Sequence, residues 1–185
     1  MTTVFIAGSI NIKRLAAEFV DRIKSVISAE LDIVVGDADG ADTSIQNVLH
    51  EATAKKVTVY CSGPRPRNNV GHWTVCSISS KAEPGSRAFF TAKDVEMARV
   101  ADFGLMIWDT KSTGTLSNVI ELLKRHHRSV VFVNRDKVFL NVNDADNLRQ
   151  LVNLMSDSAR SKAEEKIALS AKISAIANEQ FSLGL

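Results

Sequence analysis

The chain has 185 residues, of which 45% are hydrophobic and 24% are charged, and its formal net charge is +2. This balance excludes a disordered tail, and 9 glycines with 3 prolines exclude a low-complexity or collagen-like chain. Two cysteines are too few for a disulfide framework or a cysteine zinc site. The sequence shows no secretion signal and no membrane span, so we expect a cytoplasmic protein of one domain with an appendage, without a membrane partner, a metal or a cofactor.

Short apolar segments alternate with helical patterns along most of the chain. Candidate strands lie at residues 4–7, 33–35, 57–60, 103–108 and 130–133, with a candidate edge strand at 138–142. Apolar residues at helical spacing lie at 12–27, 45–52 and 116–123. Continuous apolar strands separated by amphipathic helices are typical of a parallel sheet that is buried on both faces. The sequence therefore predicts an α/β fold, a doubly wound and mostly parallel Rossmann-like sheet with helices on both faces.

Two segments break this alternation. Residues 62–87 hold all three prolines and no helical periodicity, so we expect a long connection without regular structure that acts as a lid. Asn143 or Asp144 can cap a helix, and a thin apolar stripe continues from there towards the C-terminus. We therefore divide the chain into a Rossmann-like domain at 1–142 and a C-terminal helical extension at 143–185. The apolar stripe of the extension packs on the domain or on another subunit, and we expect a homo-oligomer that forms through these helices.

Three loops at the carboxyl ends of predicted strands carry the candidate chemistry, because ligands bind beyond those ends in an open parallel sheet. Each loop is short, polar and glycine-bearing, so we expect the three loops to meet at one edge of the sheet. Their candidate ligand-binding residues are Gly8, Ser9, Gly36, Asp37, Gly40, Asp42, Ser112, Thr113, Gly114 and Thr115.

The loop at 112–115 opens a helix, whose free N–H groups and hydroxyls suit a phosphate. A simple helix cap by Ser112 or Thr113 explains the same residues. In the second loop, GDADGAD, the first two carboxylates suit a ribose hydroxyl, a sugar or a metal, and Asp42 either joins them or caps the next helix. Calcium is disfavoured because the bidentate Glu of a calcium loop is missing, and no Gly-Lys-Ser/Thr is present as in a Walker A loop.

Carboxylates and an arginine complete the candidate site. Asp39, Asp109 and Glu121 are the candidate catalytic acids, because cleavage of a glycosidic bond needs carboxylates near the anomeric carbon. Asp109 is explained equally well as a solvated residue at the end of a strand, and Glu121 as an exposed residue of a helix. Arg87 is the candidate phosphate contact in the long segment, and a capping box that starts at Thr91 predicts the beginning of the next helix.

The three loops together resemble the SLOG superfamily, which includes the lysine-decarboxylase-like phosphoribohydrolases and the DNA-processing protein A fold. The resemblance rests on GSINI after the first strand, GDADGAD after the second and STGT after a late strand, over roughly residues 4–133. GDADGAD is similar to the Gly-x-Ala-x-Gly-Ala-Asp pattern of the YspA- and YpsA-related branch. Arg87 and Met97 are the counterparts of an arginine and a methionine that precede the Gly-Thr loop in that branch.

The resemblance implies a Rossmann-like domain that binds nucleotides or nucleotide-derived ligands. Some members are sensors, and others hydrolyse the N-glycosidic bond of a nucleoside monophosphate. The hydrolases share a G-G-x-G-T-x-x-E signature, from which this chain departs at the paired glycines and at Asn118. An asparagine can hydrogen-bond a ribose but does not supply the carboxylate charge that stabilises an oxocarbenium ion. Asn118 is therefore a candidate ligand-binding residue.

Two functions are open from the sequence. The first is a sensor or binding protein for a small nucleotide-type ligand. The second is an N-glycosidase or glycosyltransferase that acts on a nucleoside or nucleoside monophosphate through the sheet-edge carboxylates. A DNA-binding protein is a weaker third interpretation, because the near-neutral net charge shows no basic face. We therefore expect nucleic acid not to be a partner of this chain.

Overall fold

The fold is built on a seven-stranded sheet. The structure is a computed structural model that describes residues 1–183, so Gly184 and Leu185 of the expected extension lie outside the described residues. The strands are β1 (Thr3–Gly8), β2 (Asp32–Gly36), β3 (Val57–Ser62), β4 (Thr74–Ile78), β5 (Phe103–Trp108), β6 (Arg128–Val133) and β7 (Val138–Val142). Their order is β4-β3-β2-β1-β5-β6-β7, and every neighbouring pair is parallel except β6 and β7.

Helices cover both faces of this sheet. They are α1 (Ala17–Ser28), α2 (Ala41–Glu51), α3 (Arg87–Val100), α4 (Thr113–Leu123), α5 (Ala145–Val152), α6 (Asp157–Ile167) and α7 (Leu169–Leu183). Buried side chains of α1 and α2 form the core on one face with Ile6 of β1, and those of α3 and α4 form the other core with Phe5. This arrangement confirms the predicted doubly wound α/β fold. Within residues 1–183, no helix combines the length and the apolar character that crossing a bilayer requires.

The segment at 62–87 differs most from the sequence-based expectation. Instead of lacking regular structure, it contains β4 (Thr74–Ile78), an edge strand that pairs in parallel with β3. Its prolines lie outside the strand, so none of them interrupts the hydrogen-bond ladder. The next helix begins at Arg87 rather than at Thr91, because the Ser86 hydroxyl accepts a backbone N–H of the first turn and caps α3.

The C-terminal helices share the core on the α3–α4 face. Asp144 caps α5 as one of the two predicted residues, by accepting the Asn147 N–H (2.7 Å). Apolar side chains of α6 and α7, among them Ala163 and Ile176, are buried in the same core as α4. The stripe from which we expected a homo-oligomer is therefore covered by the chain itself, and that expectation loses its basis.

Candidate ligand-binding site

The loops after β1 and β5 meet at the point where the strand order changes direction. The Ser9 hydroxyl donates to the Asp109 carboxylate (3.1 Å) and lies 3.2 Å from the Thr115 hydroxyl. The same carboxylate accepts the N–H groups of Lys111 (2.9 Å) and Ser112 (2.6 Å). Ligands bind at such a switch point in open α/β sheets. The expected meeting of the first and third loops is present, but their polar groups are largely bonded to one another.

The beginning of α4 is a capped helix end. The Ser112 hydroxyl accepts the Thr115 N–H (3.4 Å), which is the simple cap that the sequence left open, and Thr113 is the first helical residue. A Cβ on Gly114 would meet nothing closer than the Ser112 hydroxyl at 3.7 Å. The backbone is therefore accessible here, although Gly114 is not required by the packing.

The second loop is covered by the chain itself. Residues 64–73, here called the strap, cross the end of β2. Arg67 binds the Asp37 carboxylate through its backbone N–H (3.0 Å) and two guanidinium nitrogens (3.1 and 2.8 Å). Asn68 donates to the Asp37 carbonyl (2.9 Å) and to the Asp39 carboxylate (3.0 Å). Carboxylates that we expected to hold a ligand are thus held by the strap.

Further hydrogen bonds fasten the strap to the sheet and to α2. Gln46 of α2 donates to the Gly36 carbonyl (2.8 Å) and accepts the Val70 N–H (2.9 Å). The Trp73 indole N–H donates to the Ala54 carbonyl (2.9 Å). The sequence analysis missed this glutamine, although a polar residue beside the apolar face of a predicted helix was a usable signal.

A buried lysine links the second loop to α3. The Lys93 ammonium, on a side chain that is 4% exposed, lies 2.8 Å from the Asp94 carboxylate. It also lies 3.7 Å from Asp42 and 3.9 Å from Asp37. Burial acts to lower the pKa of Lys93, but Asp94 and Asp42 raise it above its ordinary value, so the ammonium stays charged.

The two acids of the second loop that lie near this ammonium differ in their protonation. Burial raises the pKa of Asp42 to about 6, and the charge of Lys93 opposes the rise. Burial acts in the same direction on Asp37, but the hydrogen bonds from Arg67 hold the pKa of that carboxyl below its ordinary value. Asp37 is therefore ionised across the neutral range, whereas Asp42 takes up a proton in mildly acidic solution.

The glycines of the first two loops make room for this arrangement. A Cβ on Gly36 would clash with the Asp42 carboxylate. Gly40 has a φ of 77° and caps α2, and a Cβ there would clash with the Ile10 backbone. Because Gly40 is the residue that caps α2, Asp42 lies inside the first turn of the helix. The alternative prediction that Asp42 caps this helix is therefore wrong. Gly8 is packed as tightly, because its Cβ would lie against the start of α2 and the neighbouring strand β5.

A groove between α3, α4 and the α6–α7 connection brings the remaining candidates together. This α3–α4 groove has a volume of about 400 Å³. Its lining includes Arg87, Asn118 and Glu121, which the sequence singled out, and Lys166 and Lys172 of the C-terminal extension.

The two carboxylates that line the groove are each paired with a cation. Glu121 accepts hydrogen bonds from Lys124 (3.0 Å) and Arg125 (2.8 Å). Burial acts to raise the pKa of Glu121, but these two bonds hold it below its ordinary value. The second carboxylate, Asp94, accepts from Lys93 (2.8 Å). Each of these two carboxylates therefore already accepts a hydrogen bond from a cation outside the set described next.

Three further cations of the groove have no such partner. Within the described part of the chain, Arg87, Lys166 and Lys172 form no salt bridge with a carboxylate. Burial lowers the pKa of Lys172, and the positive charge of Lys124 lowers it further. The negative charge of Glu121 raises the pKa of Lys172, and the positive charge of Arg87 lowers it. Cations that repel one another in this way favour the binding of an anion.

A buried amide lies in the same groove. Asn118 is 7% exposed, and its side chain makes no hydrogen bond to any of the residues that the structure describes. An amide carries both donors and an acceptor, so a ligand in the groove can bond it in place of water.

The candidate residues thus lie in three places rather than one. The first and third loops meet at the switch point, the strap covers the second loop, and the groove holds Arg87, Asn118 and Glu121. The sequence analysis missed Lys93, although a charge one turn before the apolar Met97 of α3 was a usable signal. No sequence signal distinguished the two groove lysines of the extension from its other charges. In residues 1–183, no group of three His, Cys, Asp or Glu side chains is placed to hold a metal ion.

Known proteins resemble this chain in structure and not in sequence. No family model matches it, and no curated protein sequence matches it significantly. DNA processing protein A of Streptococcus pneumoniae has a TM-score of 0.55 at 17% identity, over 87% of this chain and 61% of its own length. DNA processing protein A of Helicobacter pylori, described for its single-stranded DNA binding mode, has a TM-score of 0.55 at 18% identity, over 82% of this chain and 72% of its own length. The chain therefore shares the Rossmann-like fold of these proteins, as its loops indicated.

These neighbours correct one expectation. We expected nucleic acid not to be a partner because the net charge is only +2. The Helicobacter protein, which shares this fold, is described as binding single-stranded DNA, so the expectation is wrong. A small net charge does not exclude a local basic surface, because three cations without a salt bridge lie together in one groove.

Proposed function

We propose that this chain binds a nucleotide-type ligand through its phosphate groups in the α3–α4 groove. The proposal rests on three groove cations that have no carboxylate partner within the described residues: Arg87, Lys166 and Lys172. An arginine binds phosphate through two parallel hydrogen bonds, and a lysine adds a point charge. A volume of about 400 Å³ is within the range of small-molecule sites.

The uncharged lining of the groove supports the same class of ligand. The Asn118 amide can bond a ribose hydroxyl or the polar edge of a base. Val95, which is 41% exposed, supplies apolar surface in the groove that can cover a base or a sugar face. Phosphate, ribose and base would therefore each find a complementary group.

A single strand of nucleic acid is the second candidate ligand. It is favoured by the described single-stranded DNA binding of the Helicobacter neighbour. A free nucleotide and an oligonucleotide offer the same phosphate chemistry to the groove cations, but only the oligonucleotide places several phosphates in a row. The strength of binding to each separates the two candidates.

The N-glycosidase alternative has less support from the geometry. Its candidate acids do not surround a common space: Asp39 accepts from the strap, Asp109 is held at the switch point, and Glu121 is ion-paired on α4. We therefore propose a binding or sensing role in the cytoplasm rather than catalysis.

Fluorescence anisotropy with a labelled ATP analogue and with labelled oligothymidylate tests this proposal. We expect Lys166→Gln and Lys172→Gln each to weaken binding by roughly three- to tenfold, because each removes about 1 kcal/mol of charge attraction. Lys162→Gln is the matched control, since it removes the same charge from an exposed position of α6 outside the groove lining. Equal losses in all three variants, or no binding of either probe by the unmodified protein, would refute the proposal.

A further inference from the structure

We propose that Lys93 couples the strap to the α3–α4 groove, so that a closed strap keeps the affinity of the groove for phosphate high. The inference rests on the proposed function of the groove and adds a means of regulating it. Its basis is the position of one buried ammonium between carboxylates of the second loop and a carboxylate of the groove.

The Lys93 ammonium has carboxylates on two sides. Asp37 and Asp42 belong to the loop under the strap, at 3.9 and 3.7 Å, and Asp94 lines the groove, at 2.8 Å. Arg67 of the strap supplies Asp37 with two guanidinium hydrogen bonds and a backbone N–H. With Asp37 satisfied in this way, the hydrogen bond of Lys93 goes to Asp94 and neutralises the groove carboxylate.

This cluster contains no spare cation. Three carboxylates, Asp37, Asp42 and Asp94, share two cations, Arg67 and Lys93. If the strap detaches from the second loop, Arg67 leaves with it, and Lys93 is the single cation beside the three carboxylates. An unpaired buried carboxylate is strongly unfavourable, and Asp37 has a side chain that is only 3% exposed.

Opening of the strap therefore redistributes the remaining charge. The Lys93 ammonium moves towards Asp37, which has lost its partner, and the more exposed Asp94 gives up its hydrogen bond. Asp94 then presents a free negative charge to the groove, where the phosphate of the ligand binds. One added negative charge on the lining of a partly solvated site weakens anion binding by roughly three- to tenfold.

Variants of the strap test this coupling with the labelled ATP analogue and labelled oligothymidylate as probes. Arg67→Ala is expected to weaken binding by roughly three- to tenfold although Arg67 does not line the groove. Arg65→Ala is the matched control, because it removes the same charge from an exposed strap residue that forms no ion pair with any residue in 1–183. It is expected to leave binding unchanged.

Two second-site variants distinguish charge coupling from simple loosening of the strap. Asp94→Asn in the Arg67→Ala background is expected to restore the affinity, because no carboxylate then faces the ligand. Asp37→Asn is expected to leave the affinity unchanged, because it breaks the same ion pair without drawing Lys93 away from Asp94. A purely structural role of the strap would weaken binding in both of these variants.

The outcomes separate the coupling from the proposed function. If the unmodified protein binds a probe but Arg67→Ala binds it equally well, or Asp94→Asn restores nothing, the coupling is wrong and the groove proposal stands. If the unmodified protein binds neither probe, the groove proposal fails and the coupling fails with it. Circular dichroism checks that each variant is folded, and Arg67→Gln, with the same expected direction, replaces Arg67→Ala if the alanine variant does not fold.

Discussion

The Arg67 guanidinium holds the buried Asp37 carboxylate through two hydrogen bonds of 3.1 and 2.8 Å, directly after β2. In an open α/β sheet this position faces the edge where ligands bind, and here a side chain of the same protein occupies it. The loop that most resembles the SLOG pattern is thus closed by the strap. The groove between α3 and α4 instead holds three cations that form no salt bridge within the described residues, Arg87, Lys166 and Lys172.

The ion pair between strap and loop makes a first prediction about stability. Arg67→Ala leaves the Asp37 carboxylate buried without its main partner, so we expect the free energy of unfolding to fall by about 1–2 kcal/mol. This value is below that of a fully buried pair because the Arg67 side chain is 39% exposed. Urea unfolding measures it, and Arg65→Ala should change the free energy by less than about 0.5 kcal/mol. Similar losses in both variants would contradict the assigned role of Arg67.

The buried Asp42 predicts a pH dependence of stability. Its pKa is raised by burial to about 6, from an ordinary value of 3.8. The native state therefore binds this proton more tightly than the unfolded state, and the contribution of Asp42 to stability falls as the pH rises between these two values. The Asp42→Asn variant lacks this contribution. As the pH rises from about 4 to about 7, its free energy of unfolding should therefore increase by on the order of 1–3 kcal/mol relative to that of the unmodified protein.

Urea unfolding of both proteins across this pH range gives that difference. The acids with lowered pKa, among them Asp37 and Glu121, lose their stabilisation as the pH falls, but they are present in both proteins and largely cancel. A difference in free energy that does not vary with pH would show that Asp42 titrates normally in the folded state.

Two glycines of the candidate loops should differ in how much stability the protein loses when each is replaced by alanine. Gly40 has a φ of 77° and faces the Ile10 backbone, so Gly40→Ala should lower the free energy of unfolding by roughly 1–3 kcal/mol. Gly114 lies in the first turn of α4 with open space around it, so Gly114→Ala should change stability by less than about 1 kcal/mol. Thermal unfolding compares the two, and a large loss for Gly114→Ala would show that its surroundings are tighter than described.

The ion-paired Glu121 gives a prediction about ligand affinity. Glu121→Gln releases Lys124 and Arg125 from their carboxylate and adds positive charge beside the groove. We expect the labelled ATP analogue to bind roughly two- to fivefold more tightly to this variant, because one negative charge near the anion is removed. A catalytic acid at this position would behave differently: the unmodified protein would release base from a nucleoside monophosphate, and Glu121→Gln would not.

The fold could be predicted from the sequence because its main signals are local. Buried parallel strands are continuous apolar runs, as in β5 (Phe103–Trp108), and the amphipathic helices between them follow the helical period. The edge strand β4 (Thr74–Ile78) escaped prediction because it is largely exposed and mixes polar with apolar residues. It is recognisable only once β3 is present as its partner.

The site was harder to predict because its decisive contacts join distant parts of the chain. The pairing of Arg67 with Asp37 connects residues 30 positions apart, and composition alone does not distinguish Arg67 from the neighbouring Arg65. The groove depends on the C-terminal helices folding back onto α4, which places Lys172 near Arg87. Patterns within single elements indicated the chemistry of these residues but not their partners.

A crystal structure of the protein with a bound ATP analogue would show which residues bind the phosphate groups. We predict phosphate oxygens in the α3–α4 groove at about 2.7–3.2 Å from the Arg87 guanidinium and the Lys172 ammonium, with the Asn118 amide bonded to the ligand. Phosphate bound instead at the beginning of α4, beside Ser9 and Gly114 and with the groove empty, would contradict it.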